Sequence, residues 1–67
     1  MLSITLNGVP KYLPEALFVA DLVAQLGYAG KRVAVERNGE IIPKSQHPST
    51  PIAEGDAIEI VAAVGGG

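Results

Sequence analysis

The chain has 67 residues, 48% of them hydrophobic, and a formal net charge of −2 at pH 7. This length suits one folded domain, whose small core can hardly spare the roughly 300–1,000 Å³ that a ligand pocket occupies. The five basic residues form no cluster, so nucleic-acid binding is not expected. Cysteine is absent, which excludes a disulfide, a thiolate metal site and a cysteine nucleophile.

Neither a membrane span nor a targeting segment is indicated by the hydropathy pattern. No apolar run approaches the about 20 residues that a transmembrane helix requires, and no charged stretch precedes a short apolar one. We therefore expect a protein that does not associate with membranes and stays in the cytoplasm.

A hairpin is predicted at the start of the chain. Leu2–Leu6 alternates apolar and polar residues, the pattern of a half-buried strand. Asn7 and Gly8 both tolerate positive φ and indicate a two-residue turn. The return strand spans Val9–Leu13, and Pro10 within it favours an edge position.

A helix is predicted next, because the hydrophobic period changes. Five apolar residues fall on one face of a helix over 18–26 and polar ones on the other: Phe18, Val19, Leu22, Val23 and Leu26. Its start lacks a Ser, Thr, Asp or Asn cap. Gly27 marks its end as a left-handed cap.

The second half of the chain contains a further hairpin, a loop and a last strand. The predicted elements are a strand over 31–37, a turn at Asn38–Gly39, a strand over 40–42, a proline-rich loop over 43–51 with one helical turn, a turn over 54–56 and a strand over 57–64. The order hairpin, helix, hairpin, loop, strand predicts an α+β β-grasp (ubiquitin-like) fold, by analogy with known folds. We expect a mixed sheet of four to five strands with one helix on one face, a domain over 1–64 and a flexible glycine tail over 65–67.

The last strand carries a candidate docking face. Ile58, Ile60 and Ala62 share one side, which we assign to the core. The other side begins polar at Glu59 and then becomes apolar toward the glycines. An apolar solvent face is typical of a partner-docking surface, and the residues assigned to it are Val61, Ala63 and Val64.

No side chain offers catalytic chemistry or a metal site. His47 is the single histidine, without a serine or carboxylate partner by spacing, and the carboxylates are assigned to solubility. The remaining group is the α-carboxylate of Gly67, carried by Gly65 and Gly66, whose small size suits a narrow channel in a partner protein. With a pKa of about 3.3–3.7, an α-carboxylate is ionised and inert at pH 7. A partner must activate it before any transfer.

Several segments together resemble the ThiS family of sulfur carriers in bacterial thiamine biosynthesis, over nearly the whole length. The segments that carry the resemblance are 4–8, 19–22, 33–43, 44–47 and 55–61 with the glycine end. Phe18 departs from the family, which commonly has Ser or Thr there as a helix cap.

The resemblance implies a carrier role rather than an enzyme, with no cofactor or metal bound by the chain itself. The Gly67 carboxylate would be adenylated with ATP and a metal by a ThiF-like adenylyltransferase, and then converted to a thiocarboxylate with sulfur from a cysteine desulfurase or another donor. Thiazole synthase (ThiG) would receive the sulfur. Gly66 and Gly67 match the family's diglycine, and Gly65 is an additional glycine.

Two classes of alternative remain open from the sequence. The small subunit of molybdopterin synthase, or the sulfur carrier of another pathway, has the same fold and chemistry. A ubiquitin-like module that only docks and carries no cargo is the alternative of a different class.

Overall fold

The computed structural model describes residues 1–62 and contains five strands and one α-helix in this range. The elements in chain order are β1 (Leu2–Leu6), β2 (Val9–Leu13), α1 (Val19–Gln25), β3 (Val33–Arg37), β4 (Glu40–Ile42), a 3₁₀ helix (Lys44–Ser49) and β5 (Ala57–Ala62). The element order predicted from the sequence is confirmed. The predicted boundary between domain and tail, at residue 64, lies outside the described residues.

The five strands form one mixed sheet in the order β2-β1-β5-β3-β4. β1 and β5 pair in parallel at its centre, with Thr5 opposite Ala57 and Leu6 opposite Ile58. The other neighbours are antiparallel. This is the β-grasp arrangement that the sequence predicted, with the first and last strands side by side.

The core lies between α1 and one face of this sheet. Alternate residues of β5 and β3 point into it, because side chains alternate across a strand. The buried hydrophobic residues are Ile4, Leu13, Leu17, Val19, Leu22, Val23, Val35, Ile52, Ile58 and Ile60. Leu22 and Val35 are 0% exposed, and α1 is held against the sheet by the burial of Val19, Leu22 and Val23.

Both predicted hairpin turns form as the asparagine–glycine pairs require. Asn7 and Gly8 have φ of 52° and 82°, and Asn38 and Gly39 have φ of 53° and 86°. Two successive residues at positive φ make a turn whose twist matches that of the flanking strands.

The start of α1 differs from the sequence prediction. Phe18 was assigned to the apolar helix face, but it precedes the helix as its N-cap and is 45% exposed. Its N–H donates to the Asp21 carboxylate at 2.9 Å. The carbonyl of Thr50, from beyond the 3₁₀ helix, accepts the Val19 N–H at 2.8 Å. A distant backbone carbonyl therefore satisfies one of the first N–H groups of α1, which have no partner within the helix.

Gly27 ends α1 as predicted, with φ of 85°. Its N–H donates to the Ala24 carbonyl at 3.0 Å, and the Tyr28 N–H donates to the Val23 carbonyl at 3.1 Å. This pair of hydrogen bonds is the Schellman motif, which satisfies carbonyls at the end of a helix.

Candidate functional site

The predicted functional group, the Gly67 carboxylate, lies outside residues 1–62, as do Gly65, Gly66, Ala63 and Val64. Their assigned roles therefore stay predictions. Of the predicted docking face, Val61 is described, and it is 64% exposed on the sheet face opposite α1. The last element of the described structure is β5, the strand that precedes the glycine end in the sequence.

β5 is the central strand of the sheet. It is paired along its length with β3 and only at its start with β1. The side chain of Asn7 extends the contact on the β1 side. Its Oδ1 accepts the Ile60 N–H at 2.8 Å, and its Nδ2 donates to the Ile60 carbonyl at 3.2 Å. One amide thus provides a donor and an acceptor, as a neighbouring strand would, just where β1 turns away.

The start of β5 is fixed by a buried carboxylate. Asp56 is 5% exposed and forms an ion pair with Arg37, with Nε at 2.7 Å from Oδ2. Its Oδ2 also accepts the Ala53 N–H at 2.8 Å, and its Oδ1 accepts from Asn38 Nδ2 at 3.0 Å. Asn38 in turn accepts the Ala57 N–H at 2.9 Å. The assignment of Asp56 to solubility was wrong, since this residue ties two turns to the first residue of β5.

These contacts set the ionisation of Asp56. Burial raises the pKa of its carboxyl, but the hydrogen bonds from Ala53, Arg37 and Asn38 and the charge of Arg37 together outweigh burial. Its pKa therefore lies below the ordinary value of an aspartic acid. The group is a charged clamp and not a proton donor at neutral pH.

On the other side of the molecule, beside α1, lies an open and mostly apolar groove of about 210 Å³. Its lining includes Val23, Tyr28, Lys31, Lys44 and His47. This volume is below the range of about 300–1,000 Å³ that small-molecule sites occupy. The groove is separated by the sheet from the exposed face of β5, and we assign it no ligand.

His47 lines that groove as a packed residue. It is 6% exposed, and its Nε2 lies 3.1 Å from the Ile42 carbonyl oxygen. Among residues 1–62, no three His, Cys, Asp or Glu side chains are grouped to hold a metal ion. In the same range, no helix has the length and apolarity needed to span a membrane.

Asn7 and Asp56 are the two positioning residues that sequence reasoning missed. The turn at Asn7–Gly8 already accounts for an asparagine at position 7. The contact of Asn7 with Ile60, 53 residues away, therefore leaves no separate signal in the sequence. Asp56 meets Arg37 and Asn38 across 19 and 18 residues. A hint was available, because an arginine directly precedes the second asparagine–glycine turn and the β-grasp topology brings that turn beside the start of β5.

Comparisons with known proteins agree with this architecture. The profile of the ThiS family matches residues 4–67. The sulfur carrier protein ThiS of Bacillus subtilis is 41% identical over 63 residues, covering 92% of this chain and 96% of the relative. The crystal structure of the thiamine biosynthesis protein ThiS from Geobacter metallireducens superposes with a TM-score of 0.83 at 35% identity, covering 98% of this chain and 100% of that one.

A longer relative also contains this domain. A thiazole synthase of Paramagnetospirillum magneticum is 39% identical over 66 residues. The match covers 98% of this chain but 20% of that relative, so the chain spans about a fifth of its length. With a family profile over residues 4–67 and a ThiS relative matched over 96% of its length, the chain belongs to the ThiS family.

Proposed function

We propose that this chain is a sulfur carrier of thiamine biosynthesis, with the sulfur held on the carboxyl group of Gly67. The observation that carries the proposal is that the family match extends through residue 67 and therefore includes the glycine end. The fold supports it as well, because β5 leads to that end from the centre of the sheet. The chain acts as a cosubstrate of other enzymes and is not itself a catalyst.

The proposed chemistry takes place in three steps at the Gly67 carboxyl group. An oxygen of the Gly67 carboxylate attacks the α-phosphorus of ATP, and pyrophosphate leaves, which gives an acyl adenylate. The terminal sulfur of a persulfide on a donor protein then attacks the carbonyl carbon, and AMP leaves, which gives an acyl disulfide. A thiol then attacks the donor's own sulfur atom in this acyl disulfide, which releases the thiocarboxylate and leaves a disulfide between that thiol and the donor. Glycine suits the attack on the carbonyl carbon, since its α-carbon carries no side chain to crowd the tetrahedral intermediate.

Partner enzymes supply ATP, metal and sulfur in this proposal. A ThiF-like adenylyltransferase binds ATP, and a cysteine desulfurase or another donor provides the sulfur atom. Thiazole synthase is the acceptor. The relatives from Paramagnetospirillum magneticum and Magnetococcus marinus support this partner, because both are thiazole synthases that contain a segment 39% and 35% identical to this chain.

Intact-mass spectrometry tests the proposal directly. After incubation with the adenylyltransferase, ATP and a sulfur donor, we expect a mass increase equal to the replacement of one oxygen by sulfur. Fragmentation should place the change on the C-terminal peptide. An unchanged mass with partners that are active on another ThiS protein, or sulfur on a different segment, contradicts the proposal.

A control separates a carrier from a module that only docks. A variant with one alanine appended after Gly67 keeps every residue of the domain but moves the carboxylate to a different residue. A carrier should lose the mass change in this variant, whereas a docking module should bind its partner as the unmodified chain does.

A further inference from the structure

The sheet face opposite α1 carries a group of side chains that the core does not use. We call it the outer patch, and its members are Ala34, Glu36, Ile41, Glu59 and Val61. The strand register holds them together, because Ala34 is opposite Val61, Glu36 is opposite Glu59, and Glu36 is also opposite Ile41. The patch therefore spans three adjacent strands, β4, β3 and β5.

The patch exposes two large aliphatic side chains. Ile41 is 63% exposed and Val61 is 64% exposed. Burying such a side chain fully contributes about 1.5–3 kcal/mol. Single exposed aliphatic residues are common, but these two flank the same pair of glutamates, which makes the patch apolar at its borders and acidic at its centre.

Two like charges face each other at the centre of the patch. Glu36 and Glu59 lie directly opposite each other in antiparallel strands, where Cβ atoms are about 4.5–5.5 Å apart and like charges are destabilising. Arg37, the residue after Glu36, does not neutralise this pair, because it forms an ion pair with Asp56. Neither glutamate makes a hydrogen bond or ion pair through its side chain in that part of the chain.

A cation placed between two such carboxylates turns the repulsion into attraction. A guanidinium group is the best match, since its planar set of N–H donors can serve two carboxylates at once. The gain is larger at an interface, where partial burial reduces screening by salt. The patch thus complements a protein surface with a basic group between apolar side chains.

The length of the glycine end limits how far the partner's acceptor site can lie from the outer patch. Gly67 is six residues beyond Val61, and at about 3.3–3.6 Å per extended residue its carboxylate can lie at most roughly 20 Å from the patch. A protein that receives the Gly67 thiocarboxylate must therefore approach this end of the sheet. Under the proposed function that protein is thiazole synthase, the enzyme to which a homologous domain is joined in two relatives.

We infer that the outer patch docks onto thiazole synthase, and that a basic group of the enzyme binds between Glu36 and Glu59 while Ile41 and Val61 are buried around it. This inference rests on the proposed function, whose partner it specifies. The repulsion between the glutamates in the free domain is relieved on binding, so one pair of residues acts against stability and in favour of the complex.

Two double variants and calorimetric binding to the cognate thiazole synthase test this inference. Changing Glu36→Gln and Glu59→Gln together should raise Kd at least about tenfold, equivalent to about 1.4 kcal/mol, and flatten its dependence on salt concentration. The same variant should unfold at a higher temperature, because the repulsion is gone. The control changes Glu15→Gln and Glu40→Gln, two exposed glutamates outside the patch, and should leave Kd unchanged.

A second matched pair tests the apolar border. Val61→Ser should raise Kd, whereas Val9→Ser should not, although Val9 is equally exposed at 63% on the edge strand β2. Retained melting temperatures in both variants exclude loss of the fold as the cause.

The possible failures are distinguishable. Unchanged affinity in the patch variants, or equal losses in patch and control variants, overturns the docking inference. Absence of binding by the unmodified chain overturns it too, while the mass change on Gly67, measured with the adenylyltransferase alone as partner enzyme and a sulfur donor, decides the carrier function independently.

Discussion

Asp56 connects three parts of the chain through one carboxylate. It holds the arginine before the second hairpin turn, the asparagine within that turn and a backbone N–H of its own loop. An unpaired charge at this depth would be costly. The ion pair with Arg37 and the hydrogen bonds offset that cost and fix the first residue of the central strand.

Replacing Asp56 by Asn should destabilise the domain by about 2 kcal/mol at pH 7, because an amide offers one acceptor where three donors converge. Since the pKa of Asp56 is lower in the folded state, the unfolded chain binds the proton more readily as the pH falls. The stabilising effect is therefore complete above the unfolded-state pKa of about 3.9 and is lost as the pH falls through the lower folded-state value.

Urea unfolding between pH 2 and pH 7 checks this prediction. The difference between the wild type and Asp56→Asn should be largest near neutral pH and shrink in acid. Glu15→Gln, at an exposed position, is the control. A pH-independent difference would show that Asp56 acts through packing and not through its charge.

At the scale of elements, the contact between β1 and β5 is short and depends on a side chain. Two residue pairs join the strands, and the Asn7 amide then bonds both backbone groups of Ile60. Changing Asn7→Asp preserves the acceptor for the Ile60 N–H but places a carboxylate oxygen against the Ile60 carbonyl. We expect a loss of about 1–2 kcal/mol at pH 7.

Asn7→Gly is the matched variant for this prediction, because glycine adopts the positive φ of the turn without strain but makes neither hydrogen bond. Hydrogen exchange of the Ile60 amide should be faster in both variants, and Asn7→Asp should have a lower melting temperature than Asn7→Gly. If the Ile60 amide stays as protected as in the wild type, the Asn7 side chain does not hold β5 in place.

The elements that could be predicted from sequence are those with local causes. Asn7 and Asn38, each followed by glycine, fix turns by backbone preference, and Gly27 ends the helix in the same way. The start of α1 is predicted wrongly because Phe18 is held in extended backbone by a bridge to Pro51. The Val19 N–H is bonded next to it by the Thr50 carbonyl, about 30 residues away and reached only after folding. Hydrophobic period alone cannot distinguish a helix residue such as Val19 from an exposed neighbour such as Phe18.

At the scale of the molecule, residues 1–62 contain one hydrophobic core between α1 and the sheet. The buried hydrophobic residues lie between Ile4 and Ile60. Deleting Gly66 and Gly67 should therefore change the melting temperature by less than about 4 °C, while abolishing the mass change expected on sulfur transfer. Circular dichroism and intact mass on the same sample check both statements. Loss of folding would show that the final residues belong to the packed domain.

The candidate site could be predicted only in part, because some of its residues become neighbours only in the folded sheet. A terminal carboxylate can be read directly from the sequence, whereas the outer patch depends on register. Glu36 and Glu59 are 23 positions apart, and they become neighbours only because β3 and β5 pair in one particular alignment. The sequence therefore indicated Val61 but not the glutamates beside it.

The central place of β5 has a consequence for synthesis of the protein in the cell. Ribosomes make this strand after β1–β4, yet it lies between β1 and β3. A nascent or prematurely terminated chain that lacks it has two separate hairpins and no continuous sheet, so it should be recognised and degraded by proteases. A chain trimmed only at its glycine end, by contrast, should fold and, under the proposed function, compete with the intact chain for the partner enzyme without delivering sulfur.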